Sequence, residues 1–152
     1  MDKKDKIILE QLQTNADLKI HQLERAVMLP RSTIHHRIQK LKREKVVTKI
    51  KAVVDPDKIG LSVCVLIHVV VSFKQGVHGI AERLSKLTNV EEVYITAGVF
   101  DIVAKVRFKD NRSLSTFIFD DKKGIKSWDG VERTESMICL ETIKENGILE
   151  IT

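Results

Sequence analysis

The stretch PRSTIHHRIQKLKREK, residues 30–45, decides how the first part of the chain is read. At about 100° per residue, Ile34, Ile38 and Leu41 fall on one stripe of a helix. Ser32, His35, His36, Gln39 and Arg43 fall on the opposite face, Thr33 and Lys40 at its margin, and Arg37 beside the apolar stripe. Residues 31–51 carry eight Lys/Arg against Glu44 alone. Such a helix is either a solvated basic surface or one built to lie against something anionic, and its neighbours bear on the choice. Residues 2–13 repeat Ile8, Leu9 and Leu12 at helical spacing, with Asp2 or Asp5 available as a cap. Residues 15–17 break the pattern, and residues 20–27 set Ile20, Leu23, Ala26 and Val27 on one side of a second helix. Met28, Leu29 and Pro30 make a short turn, where proline ends one helix and opens the next. Three short helices with a tight turn between the last two predict a helix-turn-helix.

A helix of this kind fits the major groove of double-stranded DNA. Base edges there offer donors and acceptors to hydroxyl, amide and imidazole side chains, while Lys and Arg neutralise phosphates and supply most of the affinity. The pattern assigns Ser32, Thr33, His35, His36 and Gln39 to bases, and Arg31, Arg37, Lys40 and Arg43 to phosphates. Arg37, next to the apolar stripe, could instead pair with an acid inside the domain. His35 and His36 diverge around the helix and cannot share one ion; His21 and His78 have no partner at a metal-ligand spacing. No metal and no cofactor is expected.

Residues 46–54 alternate in part and read as an extended strand or linker; Asp55-Pro56-Asp57 ends it. The expected division is a helix-turn-helix domain over 1–55, its linker running to about 60, and a second domain over 61–152. Charge follows the same division: residues 1–60 hold 14 Lys/Arg and 8 Asp/Glu, residues 61–152 hold 12 and 13. The basic excess belongs to the first part, which points to an anionic partner for that part.

Beyond residue 60 the chain alternates strand and helix: strand 62–73, helix 77–87, strand 90–97, a turn at 98–101, strand 102–108, helix 113–121 and a final strand 131–144. The order β-α-β-β-α-β is that of a ferredoxin-like unit, so the predicted class is α+β. Such a unit packs both helices on one face of its sheet. In VCVLIHVVV, residues 63–71, both alternating sets are apolar, so both faces need cover. Two covers are open: a second copy of the sheet, which would also present two basic helices to a pseudo-palindromic site, or the last residues folding back. His68, inside this run, reads as a hydrogen-bonded core or interface residue. The run is too short to cross a membrane, no signal-peptide pattern is present, and Cys64 and Cys139 read as small hydrophobes of a reduced, cytoplasmic protein.

The ordered set of short motifs resembles the Lrp/AsnC, or feast/famine, family of transcription regulators over nearly the whole chain. It comprises Asp5, Ile8, Leu9, Leu12, Asn15 and Ala16; Leu23 and Ala26; Arg37, Ile38 and Leu41; Val46-Val47, Asp55-Pro56 and Ile59-Gly60; then Gly98-x-x-Asp101 and Val131-Glu132-Arg133-Thr134. The resemblance implies a prokaryotic, cytoplasmic regulator with a winged-helix-type DNA reader and a ligand-sensing domain, forming homodimers and often octamers. It also implies an amino-acid or related effector bound between subunits, with Gly98, Val99, Phe100, Asp101, Thr134 and Ser136 as effector-site residues. The sequence departs from that pattern where Val99 replaces an acid that would hold an ammonium group, where Lys45 replaces a glycine after the third helix, and where Ile50 replaces an aromatic residue. Two other functions stay open: an effector-independent architectural DNA binder, favoured by Val99, and an enzyme similar to siroheme decarboxylases. The absence of a His/Arg set in the second half counts against the enzyme.

Overall fold

The computed structural model describes residues 1–73, 76–145 and 147–152. The chain divides into two compact units, residues 1–53 with 144–152, and residues 54–143.

In the first unit α1 (Lys3–Thr14), α2 (Ile20–Val27) and α3 (Arg31–Arg43) enclose one apolar core. Each helix contributes a pair of buried side chains: Ile8 and Leu9, Leu23 and Val27, Ile34 and Leu41. Ala26, expected on the buried side of α2, is exposed. The helix ends follow local chemistry. Asp2 caps α1: its Oδ1 accepts from the Asp5 N–H at 2.9 Å and the Asp5 carboxylate accepts from the Asp2 N–H at 3.1 Å, a reciprocal box that satisfies two otherwise unpaired donors. α2 ends at Met28 in the left-handed conformation, φ 55°. Pro30, with φ −61°, starts α3, and Glu24 of α2 reaches over to accept the Arg31 N–H at 2.9 Å.

Two expectations need correction in this unit. No strand forms over residues 46–54; a partly alternating sequence becomes a strand only with a hydrogen-bonded neighbour, so a single chain carries no β wing here. The last residues belong to this unit and not to the second: Ile151 packs against the helical core, and the Gln13 side chain donates to the Leu149 carbonyl at 3.1 Å and accepts its N–H at 2.8 Å. The division therefore falls at residues 53/54 and again at 143/144.

The second unit has the order β1 (Val63–Val71), α4 (Val77–Ser85), β2 (Val90–Ile95), β3 (Ile102–Phe108), α5 (Asn111–Phe119), β4 (Val131–Ile138). The strands form one antiparallel sheet in the order β2-β3-β1-β4, as a ferredoxin-like unit requires. Val65, Ile67 and Val69 of β1 are buried with Ile102, Ala104 and Val106 of β3, against Ile80 and Leu84 of α4 and Leu114 and Ile118 of α5. A 3₁₀ turn, Ile125–Ser127, which the apolar periodicity does not signal, places Ile125 and Trp128 under this layer. The Arg83 guanidinium lies 3.7 Å from the Trp128 ring centroid.

Among the described residues of this unit, none covers the other sheet face. Leu66, His68, Val70 and Val103 are half-buried there, and Tyr94 and Met137 are exposed. The final residues do not fold back over it, because β4 stops at Ile138, Leu140 and Ile143 are exposed, and the terminal segment packs in the first unit. The Nδ1 of His68 is buried without a hydrogen-bond partner, and its ring lies 4.7 Å from that of Phe100.

Candidate nucleic-acid interface

α3 builds its outer face by anchoring its inner one. Ile34 and Leu41 are fully buried and Ile38 partly so, which turns Ser32, His35, His36, Lys40 and Arg43 to solvent, with Thr33 and Gln39 at the margin. Arg31 is exposed at the N-terminal end. The hydroxyls, amide and imidazoles thus share one surface, with cations at both ends. Lys42, absent from the set assigned on sequence, is also exposed; its wheel position beside His35 is the signal that could have found it. The nearest acid on the helix is the exposed Glu44, 3.9 Å from Lys40 Nζ, a distance at which an exposed pair leaves the cation available.

Arg37, assigned to phosphates on sequence, bonds to acids of its own unit. Its Nη1 donates to Asp2 Oδ2 at 2.6 Å and Asp5 Oδ1 at 2.7 Å. Asp5 is 4 % exposed. Burial works against its charged form, but the Arg37 guanidinium and the Asp2 N–H outweigh it and hold the carboxyl below the usual carboxylate range. The Asp5 N–H, then Arg37, hold Asp2 down as well, and the two acids in turn raise Arg37, Asp5 foremost. Arg37 therefore ties α3 to the start of α1, the arrangement that the sequence left open as its alternative. Sequence alone does not reveal the partner acids, because nothing local links positions 2 and 5 to position 37.

The C-terminal end of α3 is closed by a double turn: Val46 N–H donates to Leu41 O at 2.9 Å and Lys45 N–H to Lys42 O at 3.1 Å, the Schellman pattern. Lys45, with φ 56°, occupies the left-handed position that normally selects glycine.

The six residues assigned to an effector do not meet in one chain. Gly98 and Val99 form an exposed turn. Asp101 is spent on the backbone: its Oδ2 accepts the Val71 N–H at 2.8 Å, its N–H donates to Val69 O at 3.0 Å, and its carbonyl accepts the Thr96 N–H at 2.9 Å. Phe100 lies against His68, with the Arg133 guanidinium 5.4 Å from its ring centroid. Thr134 and Ser136 lie on β4, on the far side of β1 from that turn, and line a cavity of about 330 Å³ with Leu114, Ile118, Phe119 and Lys126. Among the described residues no helix is long and apolar enough to cross a membrane.

Comparison with known proteins agrees with both units. Residues 1–42 match the family profile of the AsnC-type helix-turn-helix domain and residues 62–149 that of the Lrp/AsnC ligand binding domain. The HTH-type transcriptional regulator FL11 of Pyrococcus horikoshii is 36% identical over 99% of this chain and 97% of its own; its Pyrococcus furiosus counterpart is 35% identical over the same shares. Among solved structures, a transcriptional regulator of Neisseria meningitidis in complex with L-Met superposes with TM-score 0.91 at 26% identity, covering 99% of this chain and 96% of that one. E. coli AsnC gives 0.86 at 27%, covering 97% of each. The Pyrococcus and Neisseria meningitidis relatives are named as transcriptional regulators. The chain belongs to the Lrp/AsnC family of transcriptional regulators, with an AsnC-type helix-turn-helix followed by a ligand binding domain.

Proposed function

We propose that the protein is a sequence-specific, cytoplasmic DNA-binding regulator that acts as a homodimer, with α3 in the major groove. The observation that carries this reading is the outer face of α3: exposed hydroxyl and imidazole groups with the Gln39 amide at their margin, flanked by cations and held by a buried apolar edge. Ser32, Thr33, His35, His36 and Gln39 read bases; Arg31, Lys40, Lys42 and Arg43 bind phosphates; Arg37 positions the helix. The uncovered sheet face, with half-buried Leu66 and Val70, exposed Met137 and the unpartnered His68 Nδ1, supports pairing with a second copy. That arrangement presents two reading helices to two half-sites, and dimers can assemble further, to octamers. Selecting bound duplexes from a random pool tests the reading. Enrichment of a repeated half-site that changes on Gln39→Ala supports it; recovery of the unselected pool sinks it.

The finer proposal is control by an amino acid or related metabolite bound between subunits. The L-Met complex of the Neisseria meningitidis relative supports it. So does the failure of the six assigned residues to form one site in a single chain, since a site between chains can gather them. Val99, 76% exposed at the turn, supplies no charge for an ammonium group, and this favours the second reading, DNA binding without an effector. Thermal melting against a panel of L-amino acids separates the two: a concentration-dependent upward shift marks sensing, and no shift with any of them marks the effector-free protein.

A further inference from the structure

Cys64 and Cys139 stand 75 positions apart in the sequence and side by side in the fold. β4 pairs with β1 in a register that sets Ile138 opposite Val65, so the next rung sets Cys139 opposite Cys64. The Cys139 N–H donates to the Cys64 carbonyl at 2.9 Å. Opposed residues of an antiparallel pair project to the same face, so the two thiols lie on one side of the sheet. Both are free. Opposed Cα atoms lie about 5.5 Å apart in a hydrogen-bonded pair, inside the range of about 4.4–6.8 Å that a disulfide spans, so the Cβ atoms have about 1.7 Å to close. The two surroundings differ. Cys64 is 5% exposed, whereas Cys139, just past the end of β4, is partly exposed. Burial pushes the Cys64 thiol up, and the neighbouring Cys139 thiol adds to this; Arg107, its register partner on β3, pulls the other way.

We propose that Cys64 and Cys139 are a redox-responsive cross-strand dithiol, a modification site for a peroxide-class oxidant. Cys139, at the end of the sheet and the more exposed of the two sulfurs in one chain, loses its proton and attacks the peroxide O–O bond. One oxygen stays on Cys139 as sulfenic acid and the other leaves as water or alcohol. The Cys64 sulfur then displaces the hydroxyl from the Cys139 sulfur, its own proton departing with that hydroxyl as water. The two thiols together give two electrons to the peroxide, and one S–S bond forms. That bond joins the start of β1 to the point where the chain leaves the sheet. A closed loop of this length removes freedom chiefly from the unfolded chain, so the oxidised form melts higher.

The test is titration of the full-length protein with hydrogen peroxide, followed by thiol alkylation and intact mass under non-reducing conditions. Both thiols disappear together within single chains, and dithiothreitol restores both. Melting followed by Trp128 fluorescence shifts upward on oxidation and returns on reduction. In Cys64→Ser, Cys139 stops at a sulfenic acid that dimedone traps; in Cys139→Ser, Cys64 stays unreacted. In the wild-type protein, Cys64 remaining alkylatable after Cys139 is oxidised, or loss of thiols only in cross-linked chains, overturns the proposal. Neither result bears on DNA binding by α3.

Discussion

Replacing Arg37 with Met keeps the length of the side chain and removes its charge. The variant leaves Asp5, 4% exposed, as a buried carboxylate without the guanidinium that pairs with it. Breaking a fully buried ion pair from one side costs about 3–5 kcal/mol. Arg37 remains 26% exposed, so water offsets part of that loss, and about 2 kcal/mol is expected for the helical unit. Urea unfolding followed by far-UV circular dichroism reads it. Aromatic fluorescence does not, because Trp128 and Tyr94 both lie in the second unit. Asp5→Asn in the Arg37→Met background recovers much of the loss, since a neutral amide carries no buried charge. The pH dependence reverses sign. In the wild type both Asp2 and Asp5 are depressed below the ordinary carboxylate value of 3.8, so their contribution is present above that pH and is lost as pH falls through the folded values. Without the guanidinium, burial raises Asp5, and acidification through its raised pKa stabilises the variant. The salt dependence of DNA binding should not change. A stability loss under about 0.5 kcal/mol, together with a log–log salt slope shallower by about 0.9, would make Arg37 a phosphate contact and refute the positioning role.

Three further substitutions probe the frame around the site. Lys45→Gly relieves the left-handed φ of 56° and should raise the stability of the helical unit by up to about 1 kcal/mol in urea unfolding, the gain being reduced by glycine's greater freedom when unfolded. Gly124→Ala would place a Cβ at 2.6 Å from Asp120 N and 2.7 Å from the Asp120 and Ile118 carbonyls. Backbone must move, and Trp128 fluorescence should report a loss of about 1–3 kcal/mol in the sheet unit. Deleting residues 147–152 removes Ile151 and the paired Gln13–Leu149 bonds, and should lower helical-unit stability by about 1–2 kcal/mol while leaving Trp128 melting unchanged.

What the sequence disclosed was local. α2 and β3 have the limits that apolar spacing predicts, and the α3 stripe of Ile34, Ile38 and Leu41 faces inward as the helical wheel requires. The glycine-to-lysine departure at position 45 also identified a real backbone feature, the left-handed end of α3. Features that depend on distant partners stayed hidden. The alternation in the sequence carries β4 to residue 144, but the strand ends at Ile138, opposite Val65, and with β1 starting at Val63 nothing on that strand faces the residues beyond 140. Residues 46–54 have no strand to pair with in their own chain. The pairing of Arg37 with Asp2 and Asp5, the docking of Ile151 and the meeting of Cys64 with Cys139 join positions that no periodicity connects. For the effector residues, the motif at 98–101 and the hydroxyls at 134 and 136 carry no signal of which side of β1 they occupy.

The most direct test of DNA reading by α3 is the salt dependence of binding to a mixed-sequence duplex, wild type against Lys40→Gln/Arg43→Gln. Phosphate-led binding through α3 predicts affinity that falls linearly with salt on a log–log plot, and a slope shallower by about 1.8 in the double variant, roughly 0.9 for each phosphate left without its cation. An unchanged slope and affinity in a folded double variant, or wild-type binding indifferent to salt, would contradict it.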